Sequence, residues 1–437
     1  MIKPSILTTF FLEGEDVMRK LTKAVAIAAP AIMALAAVTP AKAGILLMGD
    51  NGWEVTFAGS SNTFYMYSSS EEAPSGTRSG SLVSESGEDI SRLTVGLLPG
   101  VFGMSVKAPS TGGLDMMANL TLYPSTQNTA RTWNGSANLN LRESYFKVSG
   151  DFGSLLVGRT LNTFGTKAIV SDMGLFGIGG QYIGDTTLGR IGYGYTYANF
   201  GAQIKWTAPS TGPVNFSISL EDPSKIVGGS GYTASSTSVT ASQLDSPRWD
   251  GSIGTSNNMG GADVSITAEW MTQNADFTGA QRATNAQASN GNNDGDVTAY
   301  GLAGTVSVAG GGLSVLWSGY TGEALGTFFA LDVDSLDGVG NERDNDGWYV
   351  QGTYDLGGGT NVGISYGESS QDETAYDTAN RSSHALIEDR TLLSAMVWHN
   401  INDNLRLVAE YGHVEDEWFD SVSRESDAVS VGGFFFW

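Results

Sequence analysis

The sequence contains no cysteine and only three histidines, which excludes several classes of functional site. Without thiols there are no disulfide bridges and no thiolate ligands, and His384, His399 and His413 leave little from which to build a transition-metal site. Basic residues are also scarce, since 23 Lys and Arg face 46 Asp and Glu, for a formal charge of −23. Nucleic-acid binding requires cations that neutralise phosphates. We therefore expect no metal, no cofactor and no nucleic-acid partner.

An apolar run of about 18 residues, long enough for a transmembrane helix, is absent after the N-terminal region. In that region a basic segment at 18–23 precedes an apolar run from Ala24 to Val38, and a small-residue site ending at Ala43 follows. This order predicts a cleaved secretory signal peptide over residues 1–43 and a mature domain over 44–437. Acidic residues before Met18 are atypical of an export signal, so Met18 is the predicted true start.

The mature region alternates with a period of two. In the segment 404–411, Leu405, Leu407 and Tyr411 fall on one face, while Arg406 and Glu410 fall on the other. Such alternation predicts half-buried β-strands. Sixteen strands are predicted near 52–67, 89–107, 113–123, 136–149, 153–160, 188–207, 213–221, 246–255, 261–272, 296–308, 312–322, 346–355, 360–368, 390–399, 404–415 and 427–437.

The connections between these strands alternate between short turns and long loops. Short turns such as Pro109-Ser110-Thr111-Gly112 and Gly150-Asp151-Phe152 contain glycine, while the connections between them run for about ten to 27 residues. An even number of antiparallel strands with short turns on one rim and long loops on the other is typical of a bacterial transmembrane barrel. The predicted fold is therefore an all-β transmembrane barrel with short periplasmic turns and long extracellular loops.

Two predicted strands carry local irregularities. Pro99 and Gly100 require a bend or bulge in the strand at 89–107, where Arg92 lies opposite Leu93, Val95 and Leu97 and is expected to face the lumen. The strand at 188–207 contains Tyr193, Tyr195 and Tyr197 on one face, and we interpret them as part of an interfacial aromatic belt.

The segment 142–159 carries the most specific motif, and it resembles the Gram-negative general porin family. Arg142-Glu143-Ser144-Tyr145-Phe146 is followed by the turn Asp151-Phe152-Gly153 and by Gly158-Arg159, with the spacing of the family's fourth and fifth strands. Downstream, Ala198-Asn199-Phe200-Gly201 is similar to the family's Pro-Asn-Phe-Gly segment. The C-terminal strand ends on Trp437, with Phe435 on the face of Val431, and resembles the signal read by the barrel-assembly machinery.

The resemblance implies a homotrimer in the outer membrane whose third long loop, here about 161–187, folds into the pore and narrows it. It also implies a pore constriction between wall arginines and acidic residues of that loop. The corresponding wall residues are Arg92, Arg142 and Arg190. Asp172 matches one acidic position of the loop, whereas the second falls near apolar Leu175 or Phe176, so that Asp185 is a substitute candidate.

The predicted function is a water-filled channel for passive diffusion of small hydrophilic solutes and ions. The alternatives are a substrate-selective porin of the same fold and a non-conducting structural or adhesion barrel. Acidic loops between Glu323 and Glu425 predict a negative outer mouth that enriches cations. The segments 292–296 and 344–347 partly resemble Ca²⁺ loops, but they lack the full ligand pattern and are expected to be solvated loops. No nucleophile and base are placed for catalysis, and no enzymatic activity is predicted.

Overall fold

The computed structural model describes residues 45–48, 50–72, 89–126, 139–179, 182–183, 186–209, 212–228, 239–287, 291–292, 294–332, 335–381 and 386–437. The predicted signal peptide, Asp185 and His384 lie outside these residues. The described residues form one closed wall of sixteen long strands, which we number β1 to β16 in chain order. Their bounds are β1 Glu54–Ser70, β2 Ile90–Thr94 with Val101–Lys107, β3 Asp115–Pro124, β4 Leu139–Gly150, β5 Gly153–Leu161, β6 Phe200–Thr207, β7 Val214–Glu221, β8 Arg248–Met259, β9 Ala262–Phe277, β10 Asp296–Gly310, β11 Leu313–Glu323, β12 Asp344–Gly357, β13 Thr360–Gln371, β14 Ile387–Asn400, β15 Leu405–Trp418 and β16 Ser423–Phe436. The short strands Ile45–Met48, Ile226–Gly228 and Val239–Gln243 pair within the same sheet.

The wall closes upon itself because the first strand pairs with the last. Each strand is antiparallel to its neighbours in the sequence, and β1 pairs with β16 from Ser60 opposite Phe436 to Ser70 opposite Ser426. The amides and carbonyls of β1 and β16 therefore find partners across this seam, as a lipid environment demands. The predicted sixteen-stranded antiparallel barrel is confirmed.

The strands present one row of side chains to the outside and one to the lumen. In β15, Leu407 and Tyr411 are 47% and 41% exposed, whereas Val408 and Glu410 between them are buried. Exposed aromatic residues lie on the outer face of several strands and form the expected belt. They include Tyr65, Tyr67, Trp249, Tyr300, Trp317, Tyr354, Tyr366, Tyr411 and Phe435.

The turns and loops follow the predicted alternation except at the end of the chain. Two-residue turns at 151–152, 260–261, 311–312 and 358–359 join successive strands on one rim. On the opposite rim most connections are long, but β15 and β16 are joined by Phe419–Val422 alone, because both strands extend further than predicted. The segment 344–347 likewise belongs to β12 and is not a loop.

The second strand is interrupted where Pro99 and Gly100 were expected to bend it. Residues 95–100 leave the sheet between the two segments of β2. Leu93 is 64% exposed on the outer face, but Val95 and Leu97 are buried and contact the interior. Their predicted place on the face of Leu93 is therefore wrong, since the chain has left the pleated ladder after Thr94.

The predicted strand at 188–207 forms a strand only from Phe200 onward. Gly189 and Gly192 have φ angles of 57° and 80°, in the left-handed region that interrupts the extended backbone of a strand. Residues 188–199 instead run inside the barrel, where Tyr193 and Tyr195 are buried. These tyrosines are not part of the aromatic belt, and their alternation in the sequence imitates a strand.

Helices are few and short. α1 spans Thr166–Ser171, α2 spans Gly279–Gln287 and α3 spans Ala375–Asn380, all within the connections on the long-loop rim. Among the described residues, none of the helices has the length and apolarity needed to cross a membrane.

Gly158 in β5 provides a test of the wall geometry. Its φ is 136°, and an added Cβ would lie 2.3 Å from the carbonyl oxygen of Ser144 on β4. We expect Gly158→Ala to lower the free energy of unfolding by about 1–3 kcal/mol, measured by urea titration of the refolded barrel. Gly352→Ala is the matched control, because nothing lies within 4 Å of its added Cβ. Equal stability of the two variants would contradict the pairing of β4 with β5.

Candidate functional site: the lumen and its inward segment

The connection between β5 and β6 folds into the barrel, and we name residues 162–199 the inward segment. It contains α1, the 3-10 helix Met173–Phe176 and a row of buried apolar residues that pack against the inner wall. Phe164, Ile169 and Leu175 are among them and are at most 6% exposed. The predicted inward loop is confirmed and extends twelve residues beyond the predicted end at 187.

Wall carboxylates hold the start of the inward segment. Glu221 on β7, Asp250 on β8 and Glu269 on β9 are buried and accept hydrogen bonds from its backbone. The donors, at 2.9–3.1 Å, are the amides of Thr163, Phe164, Gly165 and Lys167. The first amides of a helix have no partner within it, so these carboxylates satisfy the groups that precede and begin α1.

Further wall residues hold the middle of the segment. Gln351 on β12 accepts the Met173 amide at 2.9 Å and donates to the Ser171 carbonyl at 2.8 Å. Glu410 on β15 accepts the amides of Ile178 and Gly179 at 2.6 and 3.2 Å. These wall side chains lie on β7–β15. On the opposite side the segment is bonded to the residues that interrupt β2, since the Leu97 amide donates to the Gly177 carbonyl at 2.8 Å and the Thr187 hydroxyl donates to the Val95 carbonyl at 3.0 Å.

Asp172 lies on the inward segment as predicted, but its side chain is only 4% exposed. Its Oδ1 accepts the Gly174 amide at 2.9 Å and caps the 3-10 helix, while its Oδ2 accepts the Tyr195 hydroxyl at 2.8 Å. Burial raises the pKa of the Asp172 carboxyl, and the charge of Arg190 opposes this rise. The carboxylate therefore stabilises the segment internally, and its role in a constriction stays a prediction.

Arg190 does not lie on the wall. It belongs to the inward segment, is 1% exposed, and donates to the Leu392 carbonyl at 2.9 Å and to the Ser365 hydroxyl. Its guanidinium also lies over the Tyr349 ring, 5.7 Å from the centroid. Its predicted place at the start of a strand is wrong because β6 begins only at Phe200. Arg190 ties the segment to β13 and β14.

Arg92 and Arg142 do lie on the wall, on its lumenal face. Arg92 is exposed and pairs with buried Met66 of β1, so the two side chains share the inner face. Arg142 occupies a bulge in β4 and is partly exposed. Its guanidinium lies 4.8 and 5.6 Å from the ring centroids of Tyr123 and Phe200. Both arginines thus lie on the inner face of the wall, and their role in a pore constriction stays a prediction.

Two features of the lumen escaped the sequence analysis. From the sequence, the carboxylates that hold the inward segment can be recognised only as acids on the lumenal face of a strand. Strand alternation alone does not reveal which backbone amides they bind. The connection between β11 and β12 also folds inward, with Phe328, Leu331 and Leu336 buried. The Tyr197 amide donates to the Phe328 carbonyl at 2.7 Å, so the two connections pack against each other.

At the seam of the barrel, Phe435 points outward and is 52% exposed, and its ring stacks on Trp437 at 6.2 Å. The backbone of Trp437 exchanges two hydrogen bonds with Gly59, at 2.9 and 3.0 Å. Both residues are thus fixed by strand closure, and their role as an assembly signal stays a prediction.

The two described histidines each contact one side chain of a neighbouring strand. His399 contacts the Thr360 hydroxyl at 2.8 Å, and His413 contacts Asp427 at 3.0 Å. The segment 363–367 reads Gly-Ile-Ser-Tyr-Gly, but Ser365 lies within β13 and bonds Arg190. Within the described ranges, no cluster of His, Asp and Glu is suited to hold a metal ion.

Glu410 provides a test of how the inward segment is held. Glu410→Ala leaves the amides of Ile178 and Gly179 without their acceptor, at a cost of about 1–3 kcal/mol for each buried group. We expect faster hydrogen–deuterium exchange of the peptide around 177–179, measured by mass spectrometry. Glu415→Ala on the same strand faces the opposite side and serves as the control. Unchanged exchange in Glu410→Ala would mean that apolar packing alone fixes the segment.

Comparison with known proteins agrees with this architecture. A family profile described as Gram-negative porin matches residues 24–421, and no curated protein matches the chain. The outer membrane channel DcaP of Acinetobacter baumannii superposes with a TM-score of 0.64 at 14% identity, over 90% of this chain and 99% of that one. The anion-selective porin from Comamonas acidovorans gives 0.57 at 14% identity, over 88% and 100%. Salmonella typhi OmpF in complex with daunomycin gives 0.52 at 11% identity, over 90% and 100%.

At these identities the solved structures share the fold, whereas the family profile covers nearly the whole chain. A closed sixteen-stranded wall, an inward third loop and a profile match over most of the sequence lead to one conclusion. The chain belongs to the Gram-negative porin family and forms an outer-membrane channel for passive diffusion of solutes.

Proposed function

We propose that solutes cross this barrel between the inward segment and the inner face of β2–β5. The observation that carries the proposal is where the wall side chains that hold the inward segment lie: the bonds from Glu221, Gln351 and Glu410 all come from β7–β15. On the side of β2 the segment is bonded only to the backbone of residues 95–98, which interrupt that strand, among the bonds that the structure describes. The inner face of β2 and β4 carries exposed Arg92 and partly exposed Arg142. These two arginines are the proposed wall of the constriction, and the inward segment is its opposite side.

The proposed constriction differs from the arrangement expected from the family. Asp172 is buried and Arg190 is part of the inward segment, so the opposing acidic row is not supplied by these residues. The proposal therefore keeps Arg92 and Arg142 as selectivity residues and gives Asp172 and Arg190 the task of holding the inward segment in shape.

We also propose that the channel is a homotrimer that is exported with a cleaved signal peptide and inserted by the barrel-assembly machinery. Trimerisation is inferred from the family resemblance. The outward position of Phe435 beside Trp437 supports the assembly signal, since a recognition element must be accessible on the outside of the closing strand. The partners that this proposal implies are outer-membrane lipid and small hydrophilic solutes and ions.

Electrical recording of the reconstituted protein tests the transport proposal. We expect ohmic currents that scale with bulk salt, because solutes diffuse through water and do not have to occupy a binding site. Planar-bilayer conductance over a range of KCl concentrations measures this, with heat-denatured protein as the control. Currents that saturate or are blocked by one solute would instead identify a substrate-selective porin. Absence of conductance would identify a structural or adhesion barrel.

The proposed signal peptide is tested by the mature N-terminus. We expect protein purified from outer membranes to begin at Gly44, because signal cleavage follows a small-residue site. Mass spectrometry of the intact chain measures this, and Ala43→Arg, which removes the small residue at the site, is expected to retain the apolar run from Ala24 to Val38. A wild-type chain that retains this run would contradict cleavage.

A further inference from the structure

Four acidic side chains on the lumenal face of this barrel are buried and do not face the water path, although the chain carries a formal charge of −23. The lumenal carboxylates Glu221, Asp250, Glu269 and Glu410 are at most 5% exposed. Each accepts backbone amides of the inward segment, as described above. Arg248 also neutralises part of this charge, since its Nη2 lies 2.6 Å from Asp250 and its Nε lies 3.5 Å from Glu221. The carboxylates that could attract cations are therefore engaged in structure.

The inner face of β2 and β4 carries charge of the opposite sign. Arg92, Arg142 and Lys147 lie on the inner face of β2 and β4 and are exposed or partly exposed. Neither Arg142 nor Lys147 forms an ion pair with any residue that the structure describes. Glu143 lies on the same face, but it is 1% exposed and accepts the Thr160 hydroxyl at 2.7 Å.

The two arginines lie beside the places where the inward segment crosses the lumen. Arg92 shares a row of paired residues with Met66, Ser430 and Glu410, and Glu410 binds the segment at Ile178. Arg142 stacks on Phe200, the first residue after the segment. Charges at a narrow passage with low-dielectric walls act more strongly on ions than those at the mouths.

The acidic mouths have a weaker effect. Glu54, Asp115 and Asp355 lie at the short-turn rim and are exposed or partly exposed, and further acids line the long-loop rim. Water and salt surround these positions, and charges there are screened over a Debye length of about 8–10 Å. The passage beside the inward segment therefore decides which ions cross.

We infer that the channel prefers small anions, such as chloride and monocarboxylates, over cations, because Arg92, Arg142 and Lys147 face the path that the buried carboxylates leave open. This inference rests on the proposed function and opposes the cation enrichment expected from the acidic loops.

The reversal potential of reconstituted channels under a KCl gradient tests the inference. We expect a chloride-to-potassium permeability ratio above unity for the wild type, and a decrease of about threefold or more in the double variant Arg142→Gln, Lys147→Gln. Arg142→Lys should retain the ratio, because it preserves charge.

Arg159→Gln is the matched control. Arg159 belongs to the same hairpin but pairs with exposed Ser144 and lies on the outer face. We expect it to leave the ratio unchanged. Every variant is first checked for the heat-modifiable migration of a folded barrel and for single-channel conductance.

A wild-type ratio at or below unity would overturn the inference, as would a ratio that the conducting double variant leaves unchanged. Neither result would contradict the proposal that the protein is a diffusion channel. Loss of all conductance in the wild type would instead overturn the proposed function.

Discussion

The structure depends on one requirement, that backbone amides and carbonyls removed from water must find partners. In the wall this requirement is met by closure, since β1 bonds β16 and no sheet edge faces lipid. The inward segment meets the same requirement without a partner strand. Its backbone N–H groups instead donate to side chains that project from the wall, notably the carboxylates of Glu269 and Glu410. The lumen therefore contains irregular backbone, several of whose amides are hydrogen-bonded to side chains of the barrel wall.

This solution has an electrostatic consequence. The lumenal face of a porin barrel is polar, and here four acidic residues on β7–β15 accept hydrogen bonds from backbone amides, namely Glu221, Asp250, Glu269 and Glu410. A carboxylate that accepts such bonds is buried under the segment that it holds, so it contributes little to the potential along the water path. Arg142 and Lys147 on β4 form no ion pair with any residue that the structure describes. Because the acidic residues on β7–β15 hold the inward segment and the basic residues on β2 and β4 face the water path, a strongly acidic chain has a basic passage.

Much of the fold could be predicted from the sequence, because strand period and turn chemistry are local. The β15 alternation around Leu407 and Glu410 and the short glycine-rich turns determined the strand number and the closed wall. The prediction of a strand over 188–199 was wrong because it also used only the local period of two, which Tyr193 and Tyr195 follow although both are buried inside the barrel. Only the positive φ angles of Gly189 and its neighbours, together with distant wall partners, send this stretch inward. Asp172 was located correctly on the inward segment, but its burial depends on Tyr195, which no spacing rule connects to it.

The seam of the barrel has a consequence for how the chain folds. Residues 60–70 of the first strand pair with residues 426–436 of the last, so the ladder that completes the wall joins parts of the polypeptide separated by almost its whole length. Contacts of such high sequence separation form late, because the entropy of a very long loop must be overcome before they contribute. Until β16 arrives, two long edges with unpaired donors and acceptors remain open, and each is a template for aggregation. The polypeptide must therefore be kept from aggregating before it reaches the membrane. Pairing of the final strand with the first removes the last exposed edges.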